Sequence, residues 1–307
     1  MIISASRRTD IPAFYFEWFL NRLREGIVLI PNPRNADRIG RVALSPDNVD
    51  CIVFWTKNPL PMLSKVEQLD RLGYAYYIHF TLTPYKAAVE RSLPQKEILM
   101  AAFRRLSTRV GAQRVIWRYD PVFIDRHHSV PWHVGQFKAM CERLHGYTER
   151  CIISFIDPYD SIRAHFSAMT SRESQEIAFH FSKIAQSYGM KLYTCAEEMA
   201  LERYGIGHAA CIDQGLIEQV TGRRIAAKKD GNQRSSCRCI ASVDIGAYDT
   251  CHHGCAYCYA TSNAGVAARC VAAHDPHAPM ITGYPVGNEI ITERTVPSQV
   301  IHQMKMF

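Results

Sequence analysis

No uninterrupted apolar run in the 307 residues approaches the roughly 18 that a membrane-spanning helix needs, so no membrane partner is expected. The opening MIISASRRTDIP has neither a hydrophobic signal core nor a small-residue cleavage site, and the expected location is the cytoplasm. There is no G-x-G-x-x-G after the first apolar run and no G-x-x-x-x-G-K, which removes the usual glycine-cradled nucleotide sites. Charge is modest as well. Charged residues make up 21%, and 36 Lys and Arg against 29 Asp and Glu leave +7, dispersed rather than blocked. That balance permits an anionic partner, a small metabolite or a nucleic acid, without specifying either. No Arg and aromatic run of the kind that tracks a single strand is present.

Hydrophobic residues, at 47%, are plentiful enough for a large core. Short runs rich in β-branched and aromatic residues recur at Ile2–Ser6, Cys51–Thr56, Tyr76–Thr83, Val115–Tyr119, Cys151–Ile156 and Lys191–Cys195. Their starts lie 25 to 49 residues apart, near the thirty-odd that a βαβ unit needs. Between them the hydrophobic period changes to that of helices, over Pro12–Gly26, Glu97–Val110, His133–His145 and Arg172–Tyr188. This alternation predicts an α/β chain of (βα) repeats, a complete or partial TIM-like barrel, with an open doubly wound sheet as the alternative. Residues 1–195 would supply the barrel units. Residues 196–307 would form a cysteine-rich segment completing the barrel, with one more strand at Ser242–Ile245 and a polar loop at Lys228–Ser236.

The strand-like runs end in polar words: SRRTD, TKNP, TLTPY, RYDP, IDPYD and CAEE. In α/β barrels the loops after the strands form the active-site face, so these residues are expected to meet at one mouth. Arg118, Asp120 and Glu197 are the candidate catalytic residues there, a desolvated carboxylate such as Glu197 or Glu198 being suited to acid–base work. Arg7, Arg8, Lys57 and Arg118 would suit an anionic metabolite. Taken singly, Asp, Asn and Pro after a strand also make turns and helix caps, as Asp10 would ahead of Pro12.

Eleven cysteines without an export signal point to thiols or metal ligands rather than disulfides, and six lie between Cys237 and Cys270. In DTCHHGCAYCYA, Cys251, Cys255 and Cys258 form a C-x3-C-x2-C array able to wrap one face of a small cluster. Three thiolates would hold a [4Fe–4S] cube with one iron left open. Zinc is the alternative, although closed zinc sites favour paired C-x2-C knuckles and only one such pair occurs. Cys195, Cys211, Cys237 and Cys239 would suffice for a second, fully cysteine-ligated [4Fe–4S] cluster, or else are small buried hydrophobes. Cys51, Cys141, Cys151 and Cys270 read as core or incidental thiols. His127, His128 and His133 read as a surface group, His252 and His253 as solvated or supporting residues of the cysteine loop, and Lys228, Lys229 and Arg234 as a solvated loop.

The GCAYCYA wording resembles the cluster-binding loop of radical S-adenosylmethionine (radical SAM) enzymes, closest to the spore photoproduct lyase branch. Over nearly its whole length the chain is also similar to an uncharacterised bacterial family with a cysteine cluster near the C-terminus, through SRRTDIP, FWTKNP, RYDP, QRSSCRC and SVDIGAYDTC. The resemblance implies a [4Fe–4S] cluster, S-adenosylmethionine and an electron donor such as a flavodoxin, a ferredoxin or a reductase. It implies reductive cleavage of S-adenosylmethionine to start radical chemistry on an unidentified substrate, with nucleic-acid lesion repair or a non-catalytic metal role as alternatives. Two departures stand out. The cluster loop follows the first barrel strand in those enzymes, whereas here it lies near the C-terminal end of the chain, which implies a circularly permuted strand order with Ser242–Ile245 beside Ile2–Ser6. Their Gly-Gly-Glu segment is also missing, so Ser6, Thr9 or Asp10 would take the cofactor ammonium, Arg7 or Arg8 its carboxylate, and Tyr257 would flank it.

Overall fold

A computed structural model describes residues 1–160, 162 and 164–301; the final stretch of the expected cysteine-rich segment, 302–307, lies outside the described residues. From the N-terminus run β1 (Ile2–Ala5), α1 (Ile11–Phe14), α2 (Phe16–Glu25), β2 (Ile27–Asn32), β3 (Asn35–Ala43), β4 (Cys51–Thr56), α3 (Leu60–Leu63), α4 (Glu67–Arg71) and β5 (Tyr76–Thr81). Then come α5 (Lys96–Val110), β6 (Val115–Val122), α6 (Val130–Leu144), β7 (Arg150–Phe155), α7 (Ser171–Ser187) and β8 (Lys191–Cys195). The remainder contributes β9 (Gly207–Ala209), α8 (Gln214–Thr221), β10 (Val243–Asp244), α9 (Ala264–Ala272) and β11 (Ile290–Glu293). Helix ends follow local chemistry. Asp10 caps α1 by accepting from Ala13 N, Gly26 ends α2 in the left-handed region, and Thr170 with Glu173 forms a capping box on α7.

Eight strands form one parallel sheet in the order β10-β1-β4-β5-β6-β7-β8-β9. The two edge strands, β10 and β9, do not pair with each other, so the sheet is open and the expected barrel closure is not seen among the described residues. Both edges are short, two and three residues, and give little backbone for a closing ladder. β10 pairs in parallel with β1, Ile3 opposite Val243 and Ser4 opposite Asp244, as the expected neighbourhood of Ser242–Ile245 and Ile2–Ser6 required.

Alternate residues of each strand go to different cores. Ile52, Phe54, Ile78, Phe80, Trp117 and Ile153 pack with Phe19, Phe103, Phe137 and Phe181 from the helices. On the other face Ile2, Val53, Tyr77, Ile116 and Ile152 pack against Cys211, Ile212, Ile217, Ile225, Cys239 and Ile240. The segment after β9 therefore covers the sheet face that the helices leave bare. Being buried on both faces is why strands such as CIVFWT read as continuous apolar runs rather than alternating ones. One element is absent from the sequence expectation. β2 and β3 form an antiparallel hairpin, joined by β11 into a separate three-stranded sheet. It occupies the 49-residue interval between the starts of β1 and β4, long for a single helical crossover.

Candidate functional site

The loops at the C-terminal ends of the sheet strands enclose a cavity of about 480 Å³. Ser6, Arg7 and Asp10 after β1, Lys57 after β4, Arg118 and Asp120 on β6, Asp157 after β7 and Cys195 at the end of β8 all line it. So do both cysteine sets, Cys251, Cys255 and Cys258 as well as Cys195, Cys211, Cys237 and Cys239. Parallel strands put all their C-terminal ends on one edge, which is how words scattered over 250 residues meet here.

The loop carrying Cys251, Cys255 and Cys258 follows β10 and is docked by its backbone and by charge. Ala256 N donates to Val89 O at 2.8 Å and Ser92 N to His253 O at 2.9 Å, so the loop lies alongside residues 89–92. Glu90, 2% exposed, receives Lys57 Nζ at 2.9 Å and Thr83 Oγ1 at 2.8 Å, together with Lys96 Nζ and the Tyr257 hydroxyl. Burial opposes the charge of Glu90, but Lys57 and Lys96 overcome it and hold the carboxyl at about 2. Burial likewise opposes the Lys57 charge, and Glu90 reverses the effect and raises it. On the far side of the loop, buried His253 places Nε2 2.7 Å from Asp10 Oδ2, which also accepts from Lys57 N at 2.7 Å. Burial pushes the Cys255 thiol up to about 12, and that of Cys251 up as well.

The other four cysteines cluster against Arg118 and Arg7. Cys195 Sγ and Cys211 Sγ lie 3.1 Å apart, Arg118 Nη1 donates to Cys211 Sγ at 2.6 Å, and Ile212 N donates to Cys239 Sγ at 3.4 Å. The neighbouring Cys211 and Cys237 thiols, together with Arg7, lower the pKa of Cys239. The Cys211 thiol lowers that of Cys195 in the same way. Cys237 and Cys239 are buried with Arg238 exposed between them, the alternation that a C-x-C pair facing one site requires. All eleven cysteines are free thiols. Among the described residues, no three Cys, His, Asp or Glu side chains surround a common point closely enough to make a ready ion cage.

Several expected site residues are committed to the chain itself. Ser6 Oγ donates to Asp244 Oδ1 at 2.6 Å and accepts from Arg8 N, and Asp10 caps α1 while binding Lys57 N and His253. Every oxygen of the two already holds one of these bonds, so a cofactor ammonium would have to share it. The Tyr257 hydroxyl is taken by Lys57 and Glu90. What stays open is Arg7 Nη2 and Thr9 Oγ1, both buried without a partner, with the Arg7 guanidinium 5.2 Å over the Trp55 ring. Asp120 pairs with Arg118 at the cavity wall. Glu197 lies beside the cavity, receiving Ser154 Oγ at 3.1 Å and Phe155 N at 2.9 Å, and burial raises its carboxyl to about 7. Glu198 is exposed.

Two residues that the sequence reading passed over organise the site. Glu90 sits in the loop after β5 with no motif around it. Asp244 takes Ser4 Oγ, Ser6 Oγ, Arg7 N and Gly246 N, and so fastens β10 to the loop after β1. The SVDIG word that contains it was the available signal. Gly246 is required by this closeness, since a Cβ there would meet Ser6 Oγ at 2.2 Å. His133 corrects the surface expectation: it is fully buried, bonded to the Tyr119 hydroxyl at 2.8 Å and facing Phe123 O at 2.7 Å. His127, Lys228 and Lys229 are exposed, as is Arg234, which pairs with Asp157.

A family described as Domain of unknown function (DUF1848) matches residues 2–260, from β1 to just beyond Cys258. The chain belongs to this family. No curated protein matches the DUF1848 chain. Among solved structures, that of a candidate alpha-L-fucosidase from Bacteroides thetaiotaomicron aligns at 11% identity over 52% of this chain and 68% of its own. The TM-score of that alignment is 0.26. No helix among the described residues is long and apolar enough to cross a membrane.

Proposed function

We propose that this chain is a radical SAM-type iron–sulfur enzyme acting on a small substrate, with Cys251, Cys255 and Cys258 as the cluster ligands. The observation that carries this reading is the position of the triad: its loop leaves β10, parallel to β1, and its three cysteines face the cavity at the C-terminal edge of the sheet. The donor set suits the group. Three half-buried free thiols on one short loop, all lining the cavity, are a donor set that a thiophilic metal takes by displacing their protons to solvent. In a permuted strand order, β10 takes the part of the strand that precedes the cluster loop in radical SAM enzymes.

The bound cluster and S-adenosylmethionine would supply a one-electron reductive cleavage yielding methionine and a 5′-deoxyadenosyl radical. The chain's own contribution is placement and shielding. Glu90, Lys57, Lys96 and Tyr257 hold the loop from one side and Asp10 with His253 from the other, leaving the three sulfurs toward the cavity. Arg7 Nη2 would take a carboxylate, and Thr9 Oγ1 is the open acceptor next to it. The cavity is of small-molecule size, which favours a metabolite over a nucleic-acid strand.

The test is anaerobic reconstitution of the full chain followed by dithionite and S-adenosylmethionine. The expected product is 5′-deoxyadenosine, lost in a Cys251→Ala/Cys255→Ala/Cys258→Ala variant. A fully iron-loaded protein that forms none would overturn the reading in favour of a non-catalytic metal protein.

A further inference from the structure

We propose that Cys195, Cys211, Cys237 and Cys239 bind a second iron–sulfur cluster, facing the same cavity as the triad. The inference stands apart from the reading of the triad, because it rests on a different set of residues.

Four cysteines from three parts of the chain meet here: the end of β8, the turn after β9 and the C-x-C run before β10. Ordinary buried cysteines scatter through a core as small hydrophobes, as Cys51, Cys141 and Cys151 do on these strands and helices. Cys195 and Cys211 instead place their sulfurs 3.1 Å apart, and all four thiols line one cavity, Cys237 and Cys239 reaching it from a single C-x-C run. Although they pack in an apolar layer, polar donors are directed at their sulfurs. Arg118 aims Nη1 at the Cys211 sulfur, the Ile212 amide aims at the Cys239 sulfur, and the positive charge of Arg7 acts on Cys239 and Cys211. Guanidinium and backbone N–H donors directed at sulfur are what a thiolate-ligated cluster takes from its outer environment.

Four thiols meet the ligand count of an iron–sulfur cluster, and the cavity they line offers the volume for one. As free thiols, Cys195 and Cys211 approach to 3.1 Å, inside the edge of about 3.8 Å that 2.3 Å metal–sulfur bonds give a tetrahedral four-thiolate zinc site. Metal binding must therefore push the sulfurs apart, and the side on which they can part is the cavity of about 480 Å³. The segment that carries three of the ligands is also the cover of the inner sheet face. It has a polar stretch, 228–236, with few apolar side chains to hold it, and a metal at Cys237 and Cys239 would order it directly.

The experiment uses the full chain, reconstituted anaerobically with iron and sulfide, and reads iron, sulfide and zinc per chain. The wild type is expected to hold about eight irons, and the triad Ala variant and a Cys237→Ser/Cys239→Ser variant about four each. Circular dichroism confirms that each variant is folded. The wild type supplies a reading independent of mutation: once loaded, Cys195, Cys211, Cys237 and Cys239 should resist an alkylating reagent and react with it after chelation. A triad variant holding neither iron nor zinc overturns the proposal. So does one zinc per chain in that variant, or a Cys195–Cys211 disulfide formed in place of metal uptake. If the triad variant keeps about four irons while the Cys237→Ser/Cys239→Ser variant holds none, this inference stands and the reading of the triad falls.

Discussion

The two cysteine sets share a cavity but are held by opposite means. The loop of Cys251, Cys255 and Cys258 is fixed by charge, through the Glu90 cage and the Asp10–His253 contact, while its sulfurs have no hydrogen-bonding thiol between them. Cys195, Cys211, Cys237 and Cys239 are fixed by apolar packing against the inner sheet face, and their polar contacts are spent on the sulfurs themselves. A loop tied at its edges keeps its reactive face open. A packed cluster is defined by its neighbours and changes shape only if they move.

The difference makes the two halves separately breakable. The largest effect is expected from Glu90→Gln, which leaves Lys57 and Lys96 buried without their carboxylate. Breaking a buried pair in this way costs about 3–5 kcal/mol, to be read by chemical denaturation. Cys255 should become faster to alkylate while Cys211 keeps its rate, and equal acceleration at both would show that the halves are not separate. Gly246→Ala comes next, since its Cβ would drive into Ser6 Oγ and part β10 from the loop after β1. Overpacking of this kind costs about 1–3 kcal/mol, and a thermal melt unchanged from wild type would count against the tight Asp244 junction.

The smallest effect is a dependence on acid. Burial holds His133 at about 4 in the folded chain, against 6.5 when exposed. Its contribution to stability is therefore complete above pH 6.5 and is lost as pH falls toward 4, by about 1 kcal/mol between pH 7 and 5.5. His133 supports Phe123, whose cluster packs on Tyr257, so the loss belongs to the triad side. Denaturation curves at the two pH values, for wild type and His133→Gln, measure it; an equal slope in both proteins would assign the acid sensitivity elsewhere.

Much of this arrangement was legible in the sequence because it depends on local pattern. Continuous apolar runs marked the strands, the polar words after them marked the cavity wall, and the spacing of Cys251, Cys255 and Cys258 marked one loop. Even the pairing of β10 with β1 followed from asking where the strand before a cluster loop must lie. What escaped depends on contacts between distant residues. Glu90 has no motif, and its importance comes from two lysines and a tyrosine that only the fold brings to it. Ser6 and Asp10 have the right chemistry for a ligand, but Asp244 and the α1 backbone reach them first. The β2–β3 hairpin hid in an interval where only the helix Pro12–Gly26 was read, and the open sheet edge could not be told from a closed barrel by counting repeats.

The pairing of β1 with β10 joins residues about 240 positions apart, and Asp244 closes the site onto Ser4 and Ser6 across that distance. During synthesis the central strands from β4 to β8 can meet their neighbours in turn, each closing a short loop. The cavity wall cannot be finished until β10 and the cysteine loop have left the ribosome, long after β1. Nascent chains stopped before residue 243 would thus hold a partial sheet and none of the triad, so a metal at the triad must enter after the other four cysteines have been synthesised.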